Sequence, residues 1–295
     1  MKLLKLISYN NLILIAFALI VLRFGFLDLQ PGLPLALNTW QYLLMVLATL
    51  LVAAGGFFIN NVLASNEHGY SEGKIYNIYS LFTLAGVGLG YYLGTIVNKP
   101  IIVAVYVIAA AIIYLYATSL KQVLLISNLI IATAIAMVII VIGIYNLYPV
   151  IMPDNKIYLA TIFDLMLDYT LFIFIISIIL TLVYNLRNTD ADYNSGNTTL
   201  PIVAGKERTA KIAFFLTLLP LGLLFYYADK YITNLIWALG YGLLCIAGPL
   251  IYFMIKIWGA KTSKDFTHLI IILKLVLLFT VLSAMVVTLN INMHA

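Results

Sequence analysis

Residues 161–184, TIFDLMLDYTLFIFIISIILTLVY, form an apolar run that passes directly into NLRNTDADYNSGNTT at 185–199. The run is long enough to cross a hydrocarbon core of about 30 Å as a helix, which takes roughly 20 apolar residues. The stretch after it is rich in Asn, Asp, Ser, Thr and Gly, residues that turn the backbone and present side-chain oxygens. Asn185, Asn188 and Asp192 recur there at i, i+3 and i+7, so a helix continued through them lines them on one face. The same spacing recurs at Asn61, Ala64 and His68, where the apolar run 41–64 ends. Function is therefore to be sought at these two helix ends.

The rest of the chain sets the class. Hydrophobic residues make up 64% and charged residues 9% of the 295 positions. Mean hydropathy is +1.09, a balance that leaves a soluble domain with a large exposed apolar surface. The chain reads as an all-α, polytopic membrane protein. Nine apolar runs are predicted as spans, near 11–29, 41–64, 76–97, 100–119, 123–146, 161–184, 210–228, 234–257 and 268–290. The first follows Lys2 and Lys5 but lacks a small-residue cleavage site, so it reads as a retained helix. If the runs alternate, Lys2, Lys5, Lys74, Lys121, Arg187, Lys206, Arg208, Lys211, Lys256, Lys261 and Lys264 fall on one side, against Lys99, Lys156 and Lys230 on the other. That bias predicts a cytoplasmic amino terminus, in a bacterial-type inner membrane, with both polar helix ends cytoplasmic. Net charge +5 is accounted for by this bias and by anionic headgroups, and calls for no nucleic-acid partner.

Most connections are too short to fold by themselves, so 1–295 reads as a single domain. Cys245, alone in an apolar run, reads as a packing residue. AGVGLG at 85–90 lacks a preceding strand and reads as a close helix contact rather than a nucleotide loop. Arg23 and Lys274 lie in apolar runs, where an uncompensated charge costs at least roughly 2.5 kcal/mol, so each is expected to face the interior or snorkel. Asp164 and Asp168 are the expected partners of Arg23. His268 and His294 read as interfacial.

Four segments resemble one family. TTLPIVAGKERTAKI at 198–212 is similar to the segment after the second aspartate motif of the UbiA superfamily of intramembrane prenyltransferases. AAGGFFINNVLASNEHG at 53–69 resembles that family's first motif, YATSLKQVLLISNLIIA at 116–132 its segment between helices four and five, and KDFTHLIIILKLVLLFTVLSAM at 264–285 its last helix. The resemblance implies a nine-helix bundle with a central cavity. It also implies Mg²⁺ held by the two motifs, an isoprenyl diphosphate as donor, and a membrane-soluble acceptor of quinone-precursor or lipid type. By resemblance, Asn61, His68, Asn185 and Asn188 fall at substrate-binding positions, as do Lys121 and Asn11, the latter also readable as a helix cap. Asp192 and Asp190 fall at catalytic and metal positions, with Glu67 a further metal candidate.

The departures carry equal information. Five of the six motif aspartates are replaced, leaving Asp192, and Ser8 stands where the resemblance places an Arg. A neutral Asn supplies an oxygen but no charge, Ala64 supplies nothing, and His68 prefers softer metals than Mg²⁺. Two readings stay open: a prenyltransferase, or a relative that keeps the bundle and cavity to bind a lipid or isoprenoid or to support a partner protein. A transporter is a third, but no pair of broken helices with half-helix symmetry is evident.

Overall fold

The computed structural model describes residues 2–64, 69–232 and 234–294, and these are helices and their connections, with no strand among them. The long helices are α1 (Tyr9–Phe24), α2 (Thr39–Leu63), α3 (Glu72–Ile96), α4 (Pro100–Thr118), α5 (Ile126–Asn146), α6 (Lys156–Asn194), α7 (Lys206–Ile232), α8 (Ile236–Gly259) and α9 (Ser263–His294). Among the described residues, eight segments are long and apolar enough to cross a membrane. The exception is α3, which at 25 residues equals α2 in length but is diluted by Gly86, Gly88, Gly90 and several tyrosines. Eight of the nine expected spans thus meet that measure among the described residues. Apolar side chains stay on the outside of the protein, with Leu81 and Leu84 each 69% exposed, as a bilayer-solvated surface requires. The chain is an integral, multi-pass membrane protein.

Local chemistry sets the helix ends. Asn38 and Gln41 form a reciprocal capping box that starts α2, each side chain bonding the other's backbone N–H at 2.9 Å. In the first turn of α9, Asp265 accepts from the backbone N–H groups of Lys261 and Thr262. The chief departure from the sequence reading is α6, which does not stop at 184 but runs on to Asn194. It ends where Gly196 adopts φ +69° and the Asn197 N–H reaches back to the Asp192 carbonyl at 3.0 Å. That i→i−5 closure with a left-handed glycine is how helices commonly terminate. The Asn- and Asp-rich stretch is therefore a last helical segment rather than a loop.

Two compact units divide the chain. One comprises Met1–Ile20, Gly32–Lys121 and Met137–Leu167; the other comprises Val21–Pro31, Gln122–Ala136 and Asp168–Ala295. In the first, α2 and α3 approach through glycines. A Cβ on Gly86 would lie 2.7 Å from Val52 Cγ2 and 2.8 Å from the Ala48 carbonyl, and one on Gly90 would strike the Tyr106 ring. AGVGLG is thus a packing motif, as its setting predicted. Tyr106 Oη also lies 2.8 Å from Thr49 Oγ1, and Tyr145 Oη donates to the Gly90 carbonyl at 3.0 Å.

The second unit packs Ile176, Ile179, Val183 and Leu186 of α6 against Ala213 of α7, Leu250 and Phe253 of α8, and Leu269, Leu273 and Val276 of α9. Its charges correct two expectations. Buried Arg23 meets Asp28 at 3.2 Å, an acid five residues along its own chain, rather than Asp164 or Asp168. Asp168 instead accepts from Lys230 at 2.9 Å and from Tyr231 Oη at 2.6 Å. His268 lies 3.0 Å from Tyr252 Oη.

Candidate functional site

The extension of α6 to Asn194 keeps Asn185, Asn188 and Asp192 helical, so their spacing places them on one face. Each is held differently. Asn185 Nδ2 donates to Asn128 Oδ1 at 3.3 Å. Asn128, 4% exposed at the start of α5, also accepts from Ser127 Oγ at 3.5 Å. The Asn188 Oδ1 accepts from Arg187 Nε at 3.0 Å, and Asp192 Oδ1 accepts from Asn197 Nδ2 at 3.1 Å. Two side-chain oxygens at this helix end, of Asn188 and Asp192, therefore already accept hydrogen bonds.

Cations gather beside them. The Arg187 guanidinium lies 4.9 Å from the centroid of the Tyr184 ring, and Lys274 Nζ lies 5.9 Å from the same centroid. Both are within cation–π reach. Lys274 comes from the middle of α9 and is half-buried, so the lysine expected to face the interior or snorkel is directed at a tyrosine next to Asn185.

Asp190 stands apart. At five residues beyond Asn185 it lies about 140° round the helix. Its carboxylate, 90% exposed, meets Lys206 at 3.2 Å, a surface pair of the kind that contributes about 0–1 kcal/mol. A shallow hollow of 380 Å³ lies on that side, lined by Thr189, Asp190, Tyr193, Asn194, Pro201, Ile202 and Lys206.

The other helix end belongs to the first unit. Asn61 Nδ2 donates to the Leu6 carbonyl at 2.7 Å and to Ser8 Oγ at 2.9 Å. Those acceptors flank the break between the short helix Lys2–Leu6 and α1, where Ser8 takes φ 53°. Asn61 thereby fastens the amino-terminal segment to α2, and Leu6 and Ile7 pack against Phe58, Val62 and Ile75 beside it. Ala64 is the C-cap of α2, while Glu67 and His68 lie outside the described residues. Asn11 sits inside α1 rather than capping it, and Lys121 lies in the single turn Leu120–Gln122.

The structure thus joins Asn185 to Asn128 and Asn188 to Arg187, and sets Asp190 on another face. Sequence reasoning left Asn128, Arg187 and Lys274 unassigned to the site. A lysine within an apolar run was the available signal, since an intramembrane charge is held for a reason.

A Mg²⁺ ion requires several hard oxygens, carboxylates foremost, in octahedral array. Among the described residues no three of His, Cys, Asp and Glu converge on a point that could hold a metal. On this face of the second helix end the one carboxylate, Asp192, stands with the neutral amides Asn185 and Asn188, and this donor set does not fit the ion.

The sequence matches no protein-family model and no curated protein at significance. Solved structures do match. A digeranylgeranylglyceryl phosphate synthase in membranes is 20% identical, with a TM-score of 0.67 over 97% of each chain. A UbiA homolog from Archaeoglobus fulgidus, solved bound to DMAPP and Mg²⁺, is 14% identical, with a TM-score of 0.61 over 96% of this chain and 99% of its own. The chain has the fold of these two proteins.

Proposed function

We propose that this chain is a divergent member of the UbiA superfamily that binds an isoprenyl diphosphate and transfers the isoprenyl group to a membrane-soluble acceptor of quinone-precursor or lipid type. The observation that carries the reading is the fold shared over nearly the whole chain with a synthase of an isoprenoid lipid and with a homolog holding DMAPP. The polar helix end 185–192 supports it, because it is built of fixed amides and cations at the terminus of a membrane helix.

In such a transfer the C–O bond of the allylic diphosphate breaks, diphosphate leaves with the electron pair, and the acceptor forms the new bond and loses a proton. The leaving group gathers negative charge, so donors aimed at its oxygens lower the barrier. Arg187 and Lys274 supply cationic donors, and Asn185 and Asn188 supply amides held in place by Asn128 and Arg187. Asp192, fastened to Asn197, orients the end of the helix. In this reading Asn61, Lys121 and Asn11 are further diphosphate-binding candidates by resemblance alone, and Asp190 is the weakest of the acids because it lies on another face of α6. The amino terminus is cytoplasmic by the cation bias.

A second reading is favoured by a specific observation, the single carboxylate at the motif positions. Here the chain binds the isoprenoid or a lipid, or supports a partner protein, without turnover. Incubating the purified protein in nanodiscs with labelled isoprenyl diphosphates and extracted membrane lipids separates the two. A prenylated lipid product supports transfer; saturable diphosphate binding with no product supports the second reading; neither binding nor product refutes both.

A further inference from the structure

We infer that the start of α7 and the end of α8 form a surface site for an anionic phospholipid, with Trp258 as its platform and Arg208, Lys211 and Lys261 around the headgroup. The inference stands apart from the prenyl-transfer reading and uses none of its residues.

The first ground is convergence. Lys211 Nζ lies 5.8 Å from the centroid of the Trp258 ring, within cation–π reach. The Phe214 ring packs edge-on against the same indole, 5.1 Å between centroids, so α7 and α8 meet at Trp258. Lys211 also meets Glu207 at 2.6 Å, and the charges of Lys261 and Arg208 both act on that carboxylate. Cations from the start of α7 and from the turn between α8 and α9 therefore gather around one spot. The positive bias of a membrane face calls for cations here, but it does not call for their convergence beside a tryptophan.

The second ground is charge. Residues 206–211 and 256–265 carry six cations and two acids, and of the six only Lys206 is turned away, to Asp190. Among the described residues Arg208, Lys256, Lys261 and Lys264 are exposed and form no ion pair. Glu207, with a side chain 82% exposed, is the acid that a headgroup phosphate displaces from Lys211. Such an excess at a membrane surface attracts anionic headgroups.

The third ground is the apolar surface that adjoins the cations. Ile251, Ile255 and Trp258 recur at i, i+4 and i+7 on α8, and all are exposed, as is Phe215 one turn beyond Lys211 on α7. An indole at headgroup level with apolar side chains leading away from it matches a lipid, whose acyl chains follow the protein surface. A free phosphate has no use for that surface.

The test reads Trp258 alone, in the full chain carrying Trp40→Phe and Trp237→Phe at two exposed positions. Phosphatidylcholine nanodiscs contain a minor fraction of brominated phosphatidylglycerol or, as the neutral control, brominated phosphatidylcholine, and bromine quenches an indole that it touches. Quenching is expected to report enrichment of the phosphatidylglycerol by about fivefold or more, the effect of even one cation close to an anionic headgroup. It should fall as salt is raised. Arg208→Gln with Lys211→Gln and Lys261→Gln should abolish the preference and leave the neutral control unchanged. Should the control change as well, Lys261→Gln alone decides: a reduced preference supports the site, and an unchanged one overturns it. Equal quenching by the two lipids in the parent chain overturns the site, as does a preference that survives the triple substitution. Relief of quenching by dissolved glycerol phosphate at fixed ionic strength would assign the cations to a soluble phosphate and overturn the lipid site.

Discussion

Asn185 of α6 and Asn128 of α5 are joined amide to amide at 3.3 Å, and this bond ties the polar end of α6 to the start of another membrane helix. Asn128 is buried, so removing its partner leaves an acceptor to be satisfied by Ser127 alone, at the longer distance of 3.5 Å. Replacing Asn185 with Leu should therefore lower stability by about 1–3 kcal/mol, the penalty for an unsatisfied buried polar group. Thermal unfolding in detergent measures this, and a wild-type midpoint would show that the bond is dispensable.

Carboxylates restored at this face should change the ion preference. Asn185→Asp with Asn188→Asp converts one motif acid into three on a single helix face, the donor set that a hard divalent cation favours. Mg²⁺ is expected to strengthen diphosphate binding in the double variant by about tenfold relative to EDTA, a shift of roughly 1.4 kcal/mol, with no such gain in the wild type. Titration calorimetry with and without Mg²⁺ reads the difference; equal affinities in the double variant contradict the account of the donor set.

Asn61 is expected to act through the amino-terminal segment. Asn61→Leu removes the hydrogen bonds to Leu6 and Ser8, worth together about 1–3 kcal/mol at roughly 1 kcal/mol each. Hydrogen exchange of residues 3–8 should accelerate while the centre of α2 stays protected. Unchanged exchange in that segment would show that packing against Phe58 and Val62 is sufficient to hold it.

The glycines of α3 should separate by position. A Cβ at Gly90 meets the Tyr106 ring, whereas nothing lies within 4 Å of one at Gly88. Gly90→Ala is expected to destabilise by about 1–3 kcal/mol through overpacking, and Gly88→Ala to be neutral or to stabilise by up to about 1 kcal/mol through helix propensity. Similar melting temperatures for the two variants would refute the glycine-contact reading of AGVGLG.

The pairing of Arg23 is testable by comparison of acids. Asp28→Asn leaves a guanidinium with 6% side-chain exposure without its carboxylate and should cost about 3 kcal/mol, less what solvent at the partly exposed Asp28 returns. Asp164→Asn, on an exposed side chain, should change stability by no more than about 0.5 kcal/mol. The reverse order would restore the pairing that the sequence suggested.

The fold class was open to reading because bilayer spans announce themselves in composition, and the spacing of Asn185, Asn188 and Asp192 placed them correctly on one helical face. The end of α6 was misread, since Asn- and Asp-rich sequence normally marks a loop, and only Gly196 with the Asn197 N–H decides where this helix stops. Arg23 was paired with the wrong acid because sequence offers helical spacing but not the tight turn that returns Asp28 to it. The cations at Tyr184 were hidden for a different reason. Arg187 fitted the charge bias of the membrane, and Lys274 is far along the chain from Tyr184, whose ring it faces, a separation that only tertiary packing closes.

The most direct measurement is a cryo-EM reconstruction of the chain in nanodiscs with a farnesyl thiolodiphosphate, in EDTA. The account predicts diphosphate density beside Asn185, Arg187 and Asn188 at the end of α6. Density in the shallow hollow by Asp190 and Lys206, or none at the end of α6, would contradict it.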